Sequence, residues 1–170
     1  IVYTDLFRGI PTLIVAYLVV IGVPALNLRG LPNSFFWLAF VSLVLSYGAY
    51  VAEVIRSGME SVHPSQWASA RALGLTHGQT VLHVVLPQAI RRVVPPLLND
   101  FASLQKDTSL VGVVGVIESL RAANIYASFN FNYTPYVVAS VLFIALTIPL
   151  ARFTDVLIRR QQRREWAGAL

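Results

Sequence analysis

Asn99, Ser103 and Lys106 recur at helical intervals of four and three, and Asp100, Ser103 and Asp107 repeat the pattern one position round. Such intervals stack side chains on one face of a helix, so these five residues form one polar stripe on an otherwise apolar segment. One ammonium, two carboxylates, an amide and a hydroxyl can together contact the amino and carboxylate groups of a solute. The same residues suit a helix end at the headgroup level of a membrane, with Lys106 snorkelling outward. Both readings stay open on the sequence. Lys106 and Asp107 are neighbours that point apart, so Lys106 is expected to seek Asp100, Asn99 or a partner chain. Charges at membrane depth are costly and are kept facing protein or water, which makes the stripe a functional candidate.

A second set of residues is suited to docking. Residues 54–92 are long for a turn between helices, and long connections in compact domains are usually functional. Pro64-Ser65 starts a helix in which Ser65 is expected to cap, accepting from the amide of Trp67 or Ala68. Gly74, after Leu73, can take the left-handed conformation that stops it. The helix between them, about 13 Å long at 1.5 Å per residue, is too short to be stable alone in water. It must dock on something. Ala68, Ser69, Ala70 and Ala72 are small enough for close approach, Arg71 lies among them, and Trp67 offers a large anchor. Leu86-Pro87 reads as a new helix start, with Arg91 and Arg92 one turn later at the membrane surface.

Other chemistry is missing. Lys106 is the single lysine among thirteen basic residues; it follows no glycine loop and precedes Asp107, so there is no phosphate-cradling motif. His63, His77 and His83 lack metal-site spacing and acidic companions, and read as interfacial or loop residues. The chain has no cysteine, hence no disulfide framework or thiolate site, and no GxSxG turn. Neither ATP hydrolysis nor covalent catalysis is expected of it.

The elements that must position these residues follow from composition. Of 170 residues 56% are hydrophobic and 12% charged, with a mean hydropathy of +0.65, whereas soluble domains carry about a quarter charged. A bilayer core of roughly 30 Å takes about 20 helical residues. Three uncharged windows reach that length: the stretch between Arg8 and Arg29, with its apolar core at 10–26, the stretch between Arg29 and Glu53, and the stretch between Arg121 and Arg152, densest at 135–151. A fourth candidate, 93–116, carries the polar stripe and leaves hydropathy undecided. So short a chain cannot surround three helices that are apolar on all faces. They are expected to form a membrane bundle in which neighbours tolerate the prolines at 11, 24, 95, 96 and 149.

With Arg8 on the cytoplasmic side, ten basic residues (8, 56, 71, 91, 92, 152, 159, 160, 163, 164) lie inside and three (29, 106, 121) elsewhere, as the positive-inside tendency requires. The C-terminus is then cytoplasmic. The loop 121–134, with Asn124, Tyr126, Asn130, Asn132 and Tyr133, is outside. The basic run at 159–164 meets anionic headgroups or forms a solvated tail. Asp5, Arg8, Gly9 and Pro11 form a turn before the first window, and Glu53 is expected to pair near Arg56 and Glu60. Basic residues scattered between apolar blocks do not suit nucleic acid. The chain starts at Ile1, its only methionine is Met59, and no secretory signal opens it. It reads as the remainder of a longer protein.

From position 68 the segment reads Ala68-Ser69-Ala70, three residues, Gly74, nine residues, Val84, Val85, Leu86-Pro87. It resembles the EAA loop of type I ATP-binding-cassette (ABC) importer permeases, whose pattern is Glu-Ala-Ala, three residues, Gly, nine residues, Ile, any residue, Leu-Pro. The flanks Asp5-Leu-Phe-Arg-Gly-Ile-Pro11 and Lys106-Asp-Thr-Ser-Leu110 resemble the polar amino acid subgroup, and together the similarity covers nearly the whole chain. It implies an all-α, polytopic membrane bundle, a single transmembrane domain over 1–170 with four of an expected five spans. Within it, 54–92 is the EAA-type cytoplasmic segment, and 64–74 is the coupling helix.

The implied partners are two ATPase subunits holding ATP and magnesium, a second permease, an extracytoplasmic solute-binding protein and membrane lipid, with no cofactor in this chain. The implied location is the bacterial inner membrane. The implied activity is ATP-driven import of polar or charged amino acids; an ion-coupled secondary transporter or channel is the alternative. The Glu that names the motif is Ala68 here and its middle Ala is Ser69. If Ser65 caps, position 68 is where a Glu would complete a capping box, and Ala68→Glu is expected to raise helix content in a peptide spanning 62–77.

Overall fold

A computed structural model of the chain describes residues 2–27, 30 and 34–167, with side chains up to residue 160. The expectations for Arg29 and for the side chains of Arg163 and Arg164 lie outside the described residues. Regular structure among them is helical: α1 (Val2–Gly9), α2 (Thr12–Ala25), α3 (Phe35–Glu60), α4 (Pro64–Ala72), α5 (His77–Gly112), α6 (Ser119–Asn130) and α7 (Thr134–Ala167). Three are long and apolar enough to cross a membrane, α3, α5 and the Thr134–Arg160 part of α7.

The first expected span is not one straight helix. α2 covers about 21 Å, and reaches span length only together with α1, to which it stands at 100°. Pro11 is the cause. It sits at φ −55° and ψ 134°, has no amide to continue the ladder, and disfavours helical geometry at Ile10. Residues 93–112 of the window that hydropathy left undecided belong to the longest helix among the described residues, the 36 residues of α5. Most of the expected 54–92 loop is therefore helix continuous with the spans, and only 61–76 links them. The expected outer loop also holds a helix, α6, whose amides at Leu120 and Arg121 are capped by the Glu118 carboxylate.

The expected helix start at Leu86-Pro87 is a widened turn within α5. Over Val81–Val85 the backbone is π-helical, and the Leu86 amide reaches back five residues to the Val81 carbonyl. The turn ends just before Pro87, where an ordinary helix would drive the ring into the carbonyl four residues back. Gln88 adds a side-chain hydrogen bond to the Val84 carbonyl at 2.9 Å. α2 repeats the arrangement, with π geometry over Leu18–Gly22 immediately before Val23-Pro24.

A buried cluster of Ala16, Val20, Leu38, Ala39, Val111 and Val114 joins α2, α3, the end of α5 and the turn after it. Further along α3, Gly58 lets α5 come close: a Cβ there would collide with Val93 Cγ2. Tyr3 of α1 donates to the Leu45 carbonyl at 2.7 Å, and Arg8 pairs with Glu53 at 3.4 Å. Glu53 also meets Arg56, which meets Glu60, so the expected pairing within α3 holds and gains a second helix, α1. Phe36, Trp37, Val138, Leu142 and Ile144 are more than half exposed, an apolar surface that water does not tolerate at this extent and a bilayer does.

Candidate functional site

α4 covers nine residues, as the spacing predicts, but its start differs. His63 is the cap: its Nδ1 accepts from the Ser65 amide at 3.2 Å and lies 2.8 Å from the Ser65 hydroxyl. Pro64, with its fixed φ and missing amide, takes the first helical position and moves Ser65 one step inside. Ala68 is thus two residues too late to complete a capping box, and the account of its missing Glu as a lost box fails. A box does form one helix on. Thr76 Oγ1 accepts from the Gln79 amide at 3.3 Å, and the Gln79 side chain accepts from the Thr76 amide at 2.9 Å. Its signal, Thr-x-x-Gln, was readable in the sequence.

The end of α4 follows expectation. Gly74 has φ +86°; its amide donates to the Arg71 carbonyl at 3.0 Å, and that of Leu75 to the Ala70 carbonyl at 3.2 Å. These are the paired bonds of a Schellman stop. Trp67 is placed otherwise than expected. It packs on the buried cluster of Val62, Val85 and Ala89, with its ring 5.5 Å from that of His77. Trp67 and buried Ala70 therefore hold α4 to its own spans, because i and i+3 share a face. Ser65, Ala68, Ser69, Arg71, Leu73 and Gly74 are exposed. Leu73, 83% exposed, is the large apolar group this surface offers.

The polar residues of α5 divide into two lines. Asn99, Ser103 and Lys106 are exposed, whereas Asp100 and Asp107 are half-buried. Asp107 Oδ2 accepts from the Tyr47 hydroxyl at 2.9 Å, and Asp100 Oδ2 is buried without a partner among the described residues. Lys106 does not reach Asp100 or Asn99, which lie roughly two turns back, about 10 Å along the axis. Instead it lines a cavity of about 400 Å³ with Ser109, Leu120, Ser140 and Phe143, where α5, α6 and α7 meet. Sequence reasoning missed Tyr47, since its partner is 60 positions away and nothing local signals it.

Leu86 and Pro87 sit on the exposed side of the widened turn. The remaining polar candidates serve local structure: His83 Nδ1 lies 3.0 Å from the Gln79 carbonyl. Asn124 donates to Tyr136 and Asn130 to the Tyr126 carbonyl, while Asn132 caps α7 at Thr134.

The short helix therefore hangs between two long apolar ones, with small residues outward and a tryptophan inward. Residues 2–163 match the family of binding-protein-dependent transport system inner membrane components. The chain belongs to this family. It is 34% identical over 162 residues, 95% of this chain and 74% of the relative, to a protein of Bacillus subtilis (strain 168) named "Probable glutamine ABC transporter permease protein GlnM". It is 35% identical over 164 residues to the L-cystine transport system permease protein TcyB of the same organism, covering 95% of this chain and 69% of that one. A solved structure titled as an amino acid ABC transporter with histidines matches with a TM-score of 0.84 at 31% identity, over 94% of this chain and 73% of that chain. The fold is that of the family's membrane-spanning permeases, and the secondary-transporter alternative is set aside.

Proposed function

We propose that this family member is the permease subunit of an ATP-driven importer for polar or charged amino acids, placed in a bacterial inner membrane with its C-terminus cytoplasmic. The observation that carries the proposal is α4: a nine-residue helix locked to α5 through Trp67, Val85 and Ala89, with an open face of Ala68, Ser69 and Leu73. A surface of this kind fits a cleft in a separate ATPase subunit. Because α4 is fixed to the spans, its displacement when two such subunits close on ATP and magnesium is carried into α3 and α5. The spans then alternate between outward and inward access. A second permease completes the pathway, the line of Asn99, Ser103 and Lys106 faces it, and Asp100 and Asp107 support that line from behind. A solute-binding protein delivers solute at the end formed by α6 and the start of α7.

The test starts from the full-length protein purified from membranes. An ATPase is expected to copurify, and uptake should follow ATP, resist an ionophore and collapse in Gly74→Pro. Proline cannot adopt the positive φ at this stop. Failure to recover an ATPase, or uptake abolished by the ionophore alone, would overturn the proposal.

A further inference from the structure

Between α1, α3 and α5 lies a cavity of about 350 Å³ whose lining includes Arg8, Glu53, Ser57, Ser61, Arg92 and Pro96. Two guanidinium groups from different helices meet there, and the protein satisfies each only in part. Among the described residues Arg8 makes one ion pair, Nη1 to Glu53 at 3.4 Å, and that carboxylate is already held by two shorter hydrogen bonds from Arg56, at 2.5 and 3.1 Å. Arg92 donates from Nη1 to the carbonyl and the hydroxyl of Ser61, which uses one of its three nitrogens. Two serines, Val54, Gly58 and the Pro96 ring complete the lining. An excess of guanidinium donors matches phosphate oxygens in geometry and charge. The volume is about ten times the roughly 30 Å³ a water occupies, enough for a phosphate and part of its headgroup.

The surroundings favour lipid as the source. α1 borders the cavity and turns Leu6 outward, 53% exposed, a surface that acyl chains cover. The cavity lies at the same end of the spans as α4. We infer that it binds the phosphate of an anionic phospholipid headgroup, bridging Arg8 of α1 and Arg92 of α5. The bound headgroup ties the bent first segment to the helix that α4 moves. Assignment to the cytoplasmic leaflet, where anionic lipid concentrates, rests on the proposed function; the site itself does not.

The test uses the full-length protein with its copurifying partners in nanodiscs of phosphatidylcholine, with or without phosphatidylglycerol. Native mass spectrometry should find phosphatidylglycerol retained by the wild type and held about tenfold more weakly by Arg92→Gln, as expected for the loss of one charge-assisted contact. Arg92→Lys should restore part of it. Ser57→Leu keeps both arginines and fills the cavity, so it should lose the lipid while its thermal unfolding stays near that of the wild type. Unchanged retention in Arg92→Gln and Ser57→Leu would overturn the inference. So would inorganic phosphate that displaces phosphatidylglycerol from the wild type, since the site would then serve a free anion. If no ATPase copurifies, the importer reading fails while lipid retention still reports on this cavity.

Discussion

Lys106 carries a charge for which no ion pair exists among the described residues, although two carboxylates lie within seven positions of it. Asp107 is engaged by Tyr47, and Asp100 lies too far back along the same helix. A cation without a counter-charge beside a cavity is available to a ligand carboxylate, and costs energy where no ligand or water meets it. Lys106→Ala should therefore abolish uptake while assembly and ATPase stimulation remain normal; full uptake would exclude solute contact and leave the snorkelling role. Ala68 is the opposite case. It is exposed and lies beyond the reach of the cap, so Ala68→Glu should change the stability of the assembled protein by no more than about 0.5 kcal/mol. A clear rise in its thermal unfolding midpoint would restore the capping explanation.

Helix contacts decide more than single side chains do. At the crossing of α3 and α5, Gly58 leaves no room for a methyl group beside Val93. Gly58→Ala should destabilise the protein by about 2 kcal/mol through overpacking, and Val93→Ala in the same chain should recover most of that loss, both read by thermal unfolding in detergent. Full loss without recovery would show that the Val93 side chain is not what excludes the methyl group. On α4 the two faces separate experimentally. Leu73 is 83% exposed, so Leu73→Asp should leave folding unchanged while sharply reducing ATPase copurification. Trp67→Ala removes the packing that fixes α4 and should uncouple ATP hydrolysis from uptake even where the complex still forms.

For the whole molecule, the paired charges Arg8–Glu53 and Arg56–Glu60 and the bond from Arg92 to Ser61 gather at the end that carries α4. Lys106 lies about 21 Å further along α5 from Arg92, near the start of α7. These 170 residues hold no cysteine, so single cysteines introduced here, with any elsewhere in the protein replaced by serine, test the orientation directly. Ser65→Cys should react with a membrane-impermeant maleimide only when the cytoplasmic side is open, and Asn130→Cys only from outside. The reverse pattern would invert the topology and the proposed function with it.

Composition and spacing were enough to establish the membrane class, the nine-residue length of α4 and its glycine stop, because these depend on hydropathy and on the backbone freedom of single residues. The cap was misplaced because a Pro at the first helical position and a His before it compete with Ser65, and only the local backbone decides between them. Trp67 could not be assigned inward or outward from sequence, since that depends on Val62, Val85 and Ala89 brought together from two other helices. The same holds for the polar stripe. Helical periodicity places Asp100, Ser103 and Asp107 together, and it cannot tell which of them turns toward Tyr47. The division of the stripe and the Arg8–Arg92 cavity are properties of the packing between helices, and that packing is set by contacts tens of residues apart.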